Sequence, residues 1–308
     1  MPPHRPTPSE ERSIINVLPT ELLLIIMSHV PTTSLPNVVK TCRTLRPLAE
    51  SFLYRHLDLH QRPYLPLRWK RLFECIIAHP HLAKHVRSFR TMIRAPWLSY
   101  PFTQRRRDME DLYNLSIQSL ILMTNLKTLE VDVRHGKAEL EDYTKAIAKL
   151  QLVSLSLPRL FNPDDQAMLT TLLSSQHQLQ QLSIPEDYGT GEIPHSLVRH
   201  LRSFSGNGQV ARRFVPGRPF EDISVRLSSQ GEGHPSLVFP ALAQSTSIVR
   251  RLSITNLTML GGVATDLMFD IAKHLPALES LRVTVYFHSD HGPFVTGFLQ
   301  NVSAHPIL

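Results

Sequence analysis

The chain has 308 residues, of which 42% are hydrophobic, and its formal net charge at pH 7 is +7. A chain of this length can bury a sizeable core in one or two domains. Its longest run of consecutive apolar residues, 22–27, is far short of the roughly 20 residues that a bilayer span needs. The Pro-rich, charged start is followed by no small-residue cleavage site, so neither membrane anchoring nor a secretory signal is expected.

Cysteine usage bears on the compartment. The chain contains only Cys42 and Cys75. Two cysteines make a disulfide framework improbable in a chain of this size, so the sequence predicts a reducing location, cytoplasmic and/or nuclear.

The positive charge is regional. Residues 40–107 contain 15 Lys or Arg and three acidic residues, a net +12, whereas residues 1–39 carry −1 and residues 108–308 carry −4. Such a region favours nucleic acid or an acidic protein partner. The arginine triplet at 105–107 lacks an RNA-binding signature, zinc-finger spacing or a basic helix leading into heptads, so nucleic acid is the less favoured partner. A solvated basic surface is the plain alternative.

The N-terminal part predicts a tail and three short helices. Residues 1–13 are Pro-rich and are expected to be disordered. Pro19 suits the first turn of a helix that Pro31 ends, Ser34 can cap a second helix, and a third is predicted over residues 46–54. Three helices in about 45 residues are too few to make a deep core.

The first helix carries an apolar surplus, because residues 22–27 are six consecutive apolar residues that would surround a helix on every side. One side can pack on the other two helices. The far side then needs a partner surface or a neighbouring domain to cover it.

The stretch "LPTELLLIIMSHV" and the residues after it also carry a resemblance. Residues 18–59 resemble an F-box, the module that attaches target receptors to the Skp-type adaptor of cullin-RING ubiquitin ligases. The family begins Leu-Pro-x-Glu-Leu-Leu-x-x-Ile and continues with an "L…CR" part. The matching positions are Leu18, Pro19, Glu21, Leu22, Leu23, Ile26, Leu35, Cys42 and Arg43, with Met27 and Val30 where Phe and Leu are common. Departures from the pattern are Ser34, Thr41 and Leu45.

The resemblance implies that a Skp-type adaptor covers the second apolar side of the first helix. The adaptor-binding residues that it implies are Leu18, Pro19, Leu22, Leu23, Ile26, Met27, Leu35 and Cys42. The alternative is that these residues pack against the domain that follows.

The remainder of the chain contains a repeat. Seven segments read as apolar-x-x-apolar-x-(usually apolar), and an earlier copy is "VRSFRTM" at residues 86–92. Their fourth positions, spaced 19 to 29 residues apart, are Leu129, Leu155, Leu182, Phe204, Ile223, Leu252 and Leu281. This is leucine-rich-repeat spacing. Amphipathic helices are predicted between the strands at residues 111–123, 140–150, 164–174, 237–244, 263–274 and 295–302.

These patterns predict an α/β protein. An N-terminal three-helix F-box is followed by an irregular leucine-rich-repeat solenoid, with parallel strands on the concave face and helices outside. The predicted domains are a disordered tail (1–13), an F-box-like domain (14–60), a basic helical linker with a first irregular repeat (61–110) and a repeat domain (111–308). The weakest repeat, 205–217, is a candidate loop.

The repeats lack the regular Asn that usually marks the loop after each strand. They are therefore similar to the irregular repeats of fungal F-box proteins, a family that the segment "HPHLAKHVRSF" also resembles.

Strand geometry predicts a target-binding face. In each repeat the fourth and sixth positions face the core, while the third and fifth face the open concave side. The candidate target-binding residues on that side are Glu130, Ser156, Ser183, Ser253, Arg251 and Arg282. The small serines would let a target approach closely, and the two arginines could hold an acidic or phosphorylated group. The alternative is that small hydroxyl residues merely suit a crowded parallel sheet.

Enzymatic functions receive little support. The groups His79, His81, His85 and His288, Asp290, His291 each lack a second cluster at zinc-like spacing. No G-x-S-x-G elbow, Walker loop or zinc-protease motif occurs, and "GNG" at 206–208 is a turn signal. No catalytic residue, cofactor or metal is predicted.

Three functions remain open. The first is a non-catalytic substrate receptor of an SCF-type ubiquitin ligase, which binds the adaptor through the F-box and a target protein through the repeats. The alternative is a leucine-rich-repeat scaffold without a role in ubiquitin transfer. The third is a basic protein associated with nucleic acid.

Overall fold

The computed structural model describes residues 18–59, 66–93, 102–133, 137–157, 166–184, 194, 196–227, 233–257, 263–286 and 296–299. The predicted tail and the group at His288, Asp290 and His291 lie outside these residues, and so do the side chains of 105–107.

The first described segment forms three short helices, as predicted. They are α1 (Thr20–Ser28), α2 (Leu35–Thr41) and α3 (Arg46–Leu53). Pro19 lies at the N-cap of α1, where its missing N–H costs no helical hydrogen bond. The helices pack on a small core of their own built from Met27, Leu35 and Ala49.

After α3 the chain alternates strands and helices. The strands are β1 (His56–Asp58), β2 (Ser88–Ile93), β3 (Thr128–Val133), β4 (Ser154–Ser156), β5 (Gln181–Ile184), β6 (Ser203–Asn207), β7 (Asp222–Arg226), β8 (Arg251–Leu257), β9 (Ser280–Tyr286) and β10 (Thr296–Leu299). The helices between them are α4 (Pro66–Ala78), α5 (Pro80–Ala83), α6 (Phe102–Leu122), α7 (Lys137–Ala148), α8 (Gln166–Ser174), α9 (Gly208–Phe214), α10 (Pro235–Leu242) and α11 (Val263–His274).

The strands described by the structure form one ten-stranded sheet whose spatial order is the order of the sequence. Strands β1 to β9 are all parallel, and β10 is antiparallel to β9. Parallel neighbours that are consecutive in sequence require a crossover each time, and right-handed crossovers place the helices on one face. The predicted architecture, an F-box followed by a leucine-rich-repeat-like solenoid, is confirmed.

The fourth positions of the repeats form the spine of the main core. Strand register aligns them in one continuous row, and every member is buried. The row consists of Leu57, Phe89, Leu129, Leu155, Leu182, Phe204, Ile223, Leu252 and Leu281. Burial of each such side chain contributes roughly 1.5 to 3 kcal/mol, so this row is a main source of the stability of the solenoid.

The predicted loop at 205–217 is wrong. These residues complete β6 and form α9, which Asn207 caps by accepting a 2.8 Å hydrogen bond from the backbone N–H of Val210. Gly206, which interrupts the apolar pattern, lies within the strand. A Cβ there would be 2.6 Å from the backbone oxygen of Ile184, so the close approach of the neighbouring strand requires glycine.

The predicted helix at 295–302 is also wrong, because Thr296–Leu299 is the strand β10. It pairs with the edge of β9, whose unpaired N–H and C=O groups offer a ladder of hydrogen bonds. For so short a segment, these tertiary hydrogen bonds outweigh a local helical pattern. The other predicted helices are confirmed within a few residues, except that α6 begins nine residues earlier than expected.

Candidate protein-binding surfaces

The α1 helix presents two apolar faces. Leu23 and Met27 are buried against the rest of the chain. On the other side, Leu22, Ile25 and Ile26 are 46%, 56% and 50% exposed. At about 100° per residue these three side chains fall within one third of the helix circumference. We refer to Leu22, Ile25 and Ile26 as the α1 apolar stripe, and it is the surplus that the sequence predicted.

The predicted adaptor-binding residues divide between surface and interior. Leu22, Ile26 and Pro19 are exposed, and Leu18 and Cys42 are half-buried. Three others, Leu23, Met27 and Leu35, are buried and support α1 from within.

Ile25 belongs to the predicted apolar run but is absent from the predicted adaptor-binding residues. It lies three residues after Leu22, and the i, i+3, i+4 spacing of Leu22, Ile25 and Ile26 was the signal that could have found it.

The cations of the basic region are spread over several elements, and some pair with carboxylates. Arg46 contacts Glu50 at 2.8 Å, and Lys70 contacts Asp111 at 3.3 Å. Arg90 pairs within the sheet, as described below. Part of the local charge is thus balanced by the fold itself.

The three histidines near α5, His79, His81 and His85, interact with one another and with the neighbouring backbone. The Nδ1 atom of His79 lies 3.1 Å from the backbone oxygen of Cys75, and its ring meets that of His81 edge to face. Burial, and next the neighbouring His81, lower the pKa of His85. Among the residues that the structure describes, no group of three or more His, Cys, Asp or Glu side chains is placed to hold a metal ion.

The two thiols are free and half-buried. The hydroxyl of Tyr54, just after α3, lies 3.9 Å from the Sγ atom of Cys75. Burial and then this contact raise the pKa of Tyr54 to about 12. The Tyr54 hydroxyl thus keeps its proton to a higher pH than that of an ordinary tyrosine.

The fifth positions of the strands form a second row, on the face of the sheet opposite the core. We call this row the open-face ladder. Its register-aligned members are Asp58, Arg90, Glu130, Ser156, Ser183, Ser205, Ser224, Ser253 and Arg282. The structure thus brings together the predicted residues Glu130, Ser156, Ser183, Ser253 and Arg282, and it places five serines on five consecutive strands.

Charges occupy the N-terminal end of the ladder. Arg90 lies between two carboxylates, with nitrogen–oxygen distances of 2.6 Å to Glu130 and 3.7 Å to Asp58. The charge of Glu130 is therefore already paired within the sheet. The half-buried serines in the middle of the ladder are neutral and small.

The two predicted arginines differ in their pairing. The Nε and Nη2 atoms of Arg251 both donate hydrogen bonds to the carboxylate of Asp222. The bond from Nη2 to Oδ2 is 2.6 Å long. These hydrogen bonds and the charge of Asp222 raise the pKa of Arg251. Arg282 is exposed, and no carboxylate among the described residues forms an ion pair with it. The fold leaves Arg282, more than Arg251, available to an anionic partner.

Comparison with known families agrees with the geometry of the N-terminal part. Residues 15–60 match the family described as F-box-like. Among curated proteins, none matches the sequence significantly. The chain thus has an F-box-like domain at its N-terminus, followed by a parallel-strand α/β region consistent with leucine-rich repeats.

An F-box-like domain implies binding to a Skp-type adaptor. F-box proteins themselves connect other proteins and are non-catalytic.

Within the part of the chain that the structure describes, no helix combines the length and apolar character needed to cross a membrane.

Proposed function

We propose that this protein is the substrate-recognition subunit of an SCF-type E3 ubiquitin ligase, composed of a Skp-type adaptor, a cullin and a RING protein. The observation that carries the proposal is the F-box-like match over residues 15–60, which coincides with an apolar stripe that the chain itself leaves exposed. The fungal type of F-box protein is proposed only on the resemblance of repeats that lack the regular Asn and of the segment "HPHLAKHVRSF". A cytoplasmic or nuclear location accords with the two free thiols.

In this proposal the adaptor packs on the α1 apolar stripe, with Leu18, Pro19 and Cys42 at its margin. Leu23, Met27 and Leu35 act indirectly, since they fix α1 on the F-box core. Each stripe residue still exposes about half of its side chain. Burying that remainder would contribute roughly 1 kcal/mol per residue before the costs of association.

The target protein binds the open-face ladder in this proposal. Its five serines present hydroxyl groups without bulk, so a segment of the target can lie close to the strands. Arg282 supplies an exposed cation at one end, while Arg251 is held by Asp222 and shapes the surface. Glu130, paired with Arg90, closes the other end of the serine run.

Affinity purification of the tagged chain followed by mass spectrometry tests the proposal. Recovery of the adaptor together with cullin and RING subunits is the expected result. Adaptor alone would favour the scaffold without ubiquitin transfer, and nucleic acid that is released by moderate salt would favour the third function. A stripe variant such as Ile26→Asp serves as the control, because it should lose all ligase subunits at once while keeping proteins bound to the repeats.

A further inference from the structure

A polar pocket of about 490 Å³ lies at the N-terminal ends of strands β5 to β7, along the edge of the sheet that these strand ends form. The residue before each strand donates its backbone N–H to the carbonyl of the residue before the preceding strand, which aligns Gln180, Arg202 and Glu221. His177, Arg199 and His200 complete the principal lining. We call this depression the edge pocket.

The edge pocket offers hydrogen-bond donors for an anion. Its two guanidinium groups, Arg199 and Arg202, belong to exposed residues. Within the described part of the chain, Arg199 donates one side-chain hydrogen bond, from its Nε atom to the carbonyl of Ser196 at 3.3 Å. The two imidazoles and the Gln180 amide add further polar groups, and the single carboxylate is that of Glu221. The formal charge of the lining is thus positive, with histidines counted as neutral.

The edge pocket adjoins the proposed target-binding face. Gln180, Arg202 and Glu221 immediately precede the third-position residues Gln181, Ser203 and Asp222, which open toward the ladder side of the sheet. A chain lying across the serine run can therefore place a side chain at this edge without leaving the surface.

We propose that the edge pocket binds an acidic segment of the target protein, with one or two carboxylates held by Arg199 and Arg202. Guanidinium groups pair with carboxylates through two parallel hydrogen bonds, which a pocket with two arginines can provide to neighbouring acidic residues. The volume suits one or two side chains, and the polar lining disfavours an apolar ligand. The carboxylate of Glu221 repels an acidic ligand and therefore limits the affinity of the pocket for it. Assigning the segment to a ligase target rests on the proposed function, whereas the binding itself does not.

The test uses the purified full chain and a fluorescein-labelled hexaglutamate peptide, with fluorescence anisotropy at physiological ionic strength. The double variant Arg199→Glu with Arg202→Glu should weaken binding about tenfold or more. The matched control is Arg68→Glu with Arg71→Glu, two exposed arginines of α4, which changes the net charge equally. It should change the affinity less than about twofold, because salt and distance screen its effect.

Removing the opposing carboxylate should act in the other direction. We expect Glu221→Gln to tighten hexaglutamate binding about threefold, a gain that misfolding cannot produce. If charge reversal disturbs the fold, the pair Arg199→Gln with Arg202→Gln takes its place and should still weaken binding clearly.

Equal losses in the pocket and control variants would overturn the proposal, as would unchanged binding in the pocket variants or equal affinity for a hexaglutamine peptide. Tighter binding of a DNA duplex, abolished by the same variants, would replace the acidic protein with nucleic acid. The adaptor is absent from this assay. A negative peptide-binding result therefore does not affect the proposed function. A purification that recovers no adaptor likewise does not affect the proposal that the edge pocket binds an acidic segment.

Discussion

Replacing Ile26 by Asp places a carboxylate within the α1 apolar stripe. Ile26 is 50% exposed, so about half of its burial energy, roughly 1 kcal/mol, remains to be gained when a partner covers it. Burying an unpaired polar group in its place costs about 2 kcal/mol or more. The two losses together are roughly 3 kcal/mol, which corresponds to about a hundredfold weaker adaptor binding.

Isothermal titration of the full chain with a purified Skp-type adaptor measures this change. The control is Ile248→Asp, because Ile248 is 58% exposed and lies between α10 and β8, within the repeats. The thermal unfolding temperatures of both variants should be close to that of the parent chain, since neither side chain belongs to a core. Adaptor binding by Ile26→Asp within threefold of the parent, or an equal loss in Ile248→Asp, would refute the assignment of the stripe to the adaptor.

Three further predictions concern the sheet. Ser183→Trp should abolish target capture in proximity labelling and leave adaptor binding intact, because it fills the open face, whereas Ser174→Trp on the exposed part of α8 should change neither. Phe204→Ala should lower the free energy of unfolding in urea by about 3 to 5 kcal/mol, because it removes a buried ring that packs on two others. Gly206→Ala should cost about 1 to 3 kcal/mol in the same measurement, since its methyl group would meet the Ile184 oxygen; an unchanged midpoint would contradict the close strand approach.

Much of the repeat region could be predicted because its physics is local and periodic. A strand that buries alternate residues leaves apolar side chains at the fourth and sixth positions of each repeat, and Leu155 or Leu252 can be assigned to the core from that pattern alone. Register then follows, because a slip by one residue would turn the whole row toward solvent. The same periodicity predicts that the serines at the fifth positions, such as Ser156, Ser183 and Ser253, share the opposite face.

Pairings between distant segments could not be predicted in the same way. Nothing local distinguishes Glu130 as the partner of Arg90, or Asp222 as the partner of Arg251, since each pair is separated by a whole repeat. The same holds for the strand Thr296–Leu299, whose state is decided by the open edge of β9.

The edge pocket illustrates a second limit of the sequence. Its lining comes from the residues just before successive strands, which the repeat pattern leaves free to vary. No spacing rule connects Arg199, Arg202 and Glu221 to His177, and only the stacking of repeats brings them together.

The junction between the F-box and the sheet links the two proposed binding surfaces. Only Tyr54 and Arg55 separate α3 from β1, and the carbonyl of Arg55 accepts hydrogen bonds from the backbone N–H groups of Arg87 at 2.9 Å and Ser88 at 3.1 Å. Tyr54 packs on the main core while α3 packs on the F-box core. The last helix of the F-box therefore leads directly into the first strand, and backbone hydrogen bonds to Arg55 hold the start of that strand against β2. In the proposed function, an adaptor on α1 and a target on the open-face ladder would be joined through this two-residue connection, with no long linker between the two surfaces.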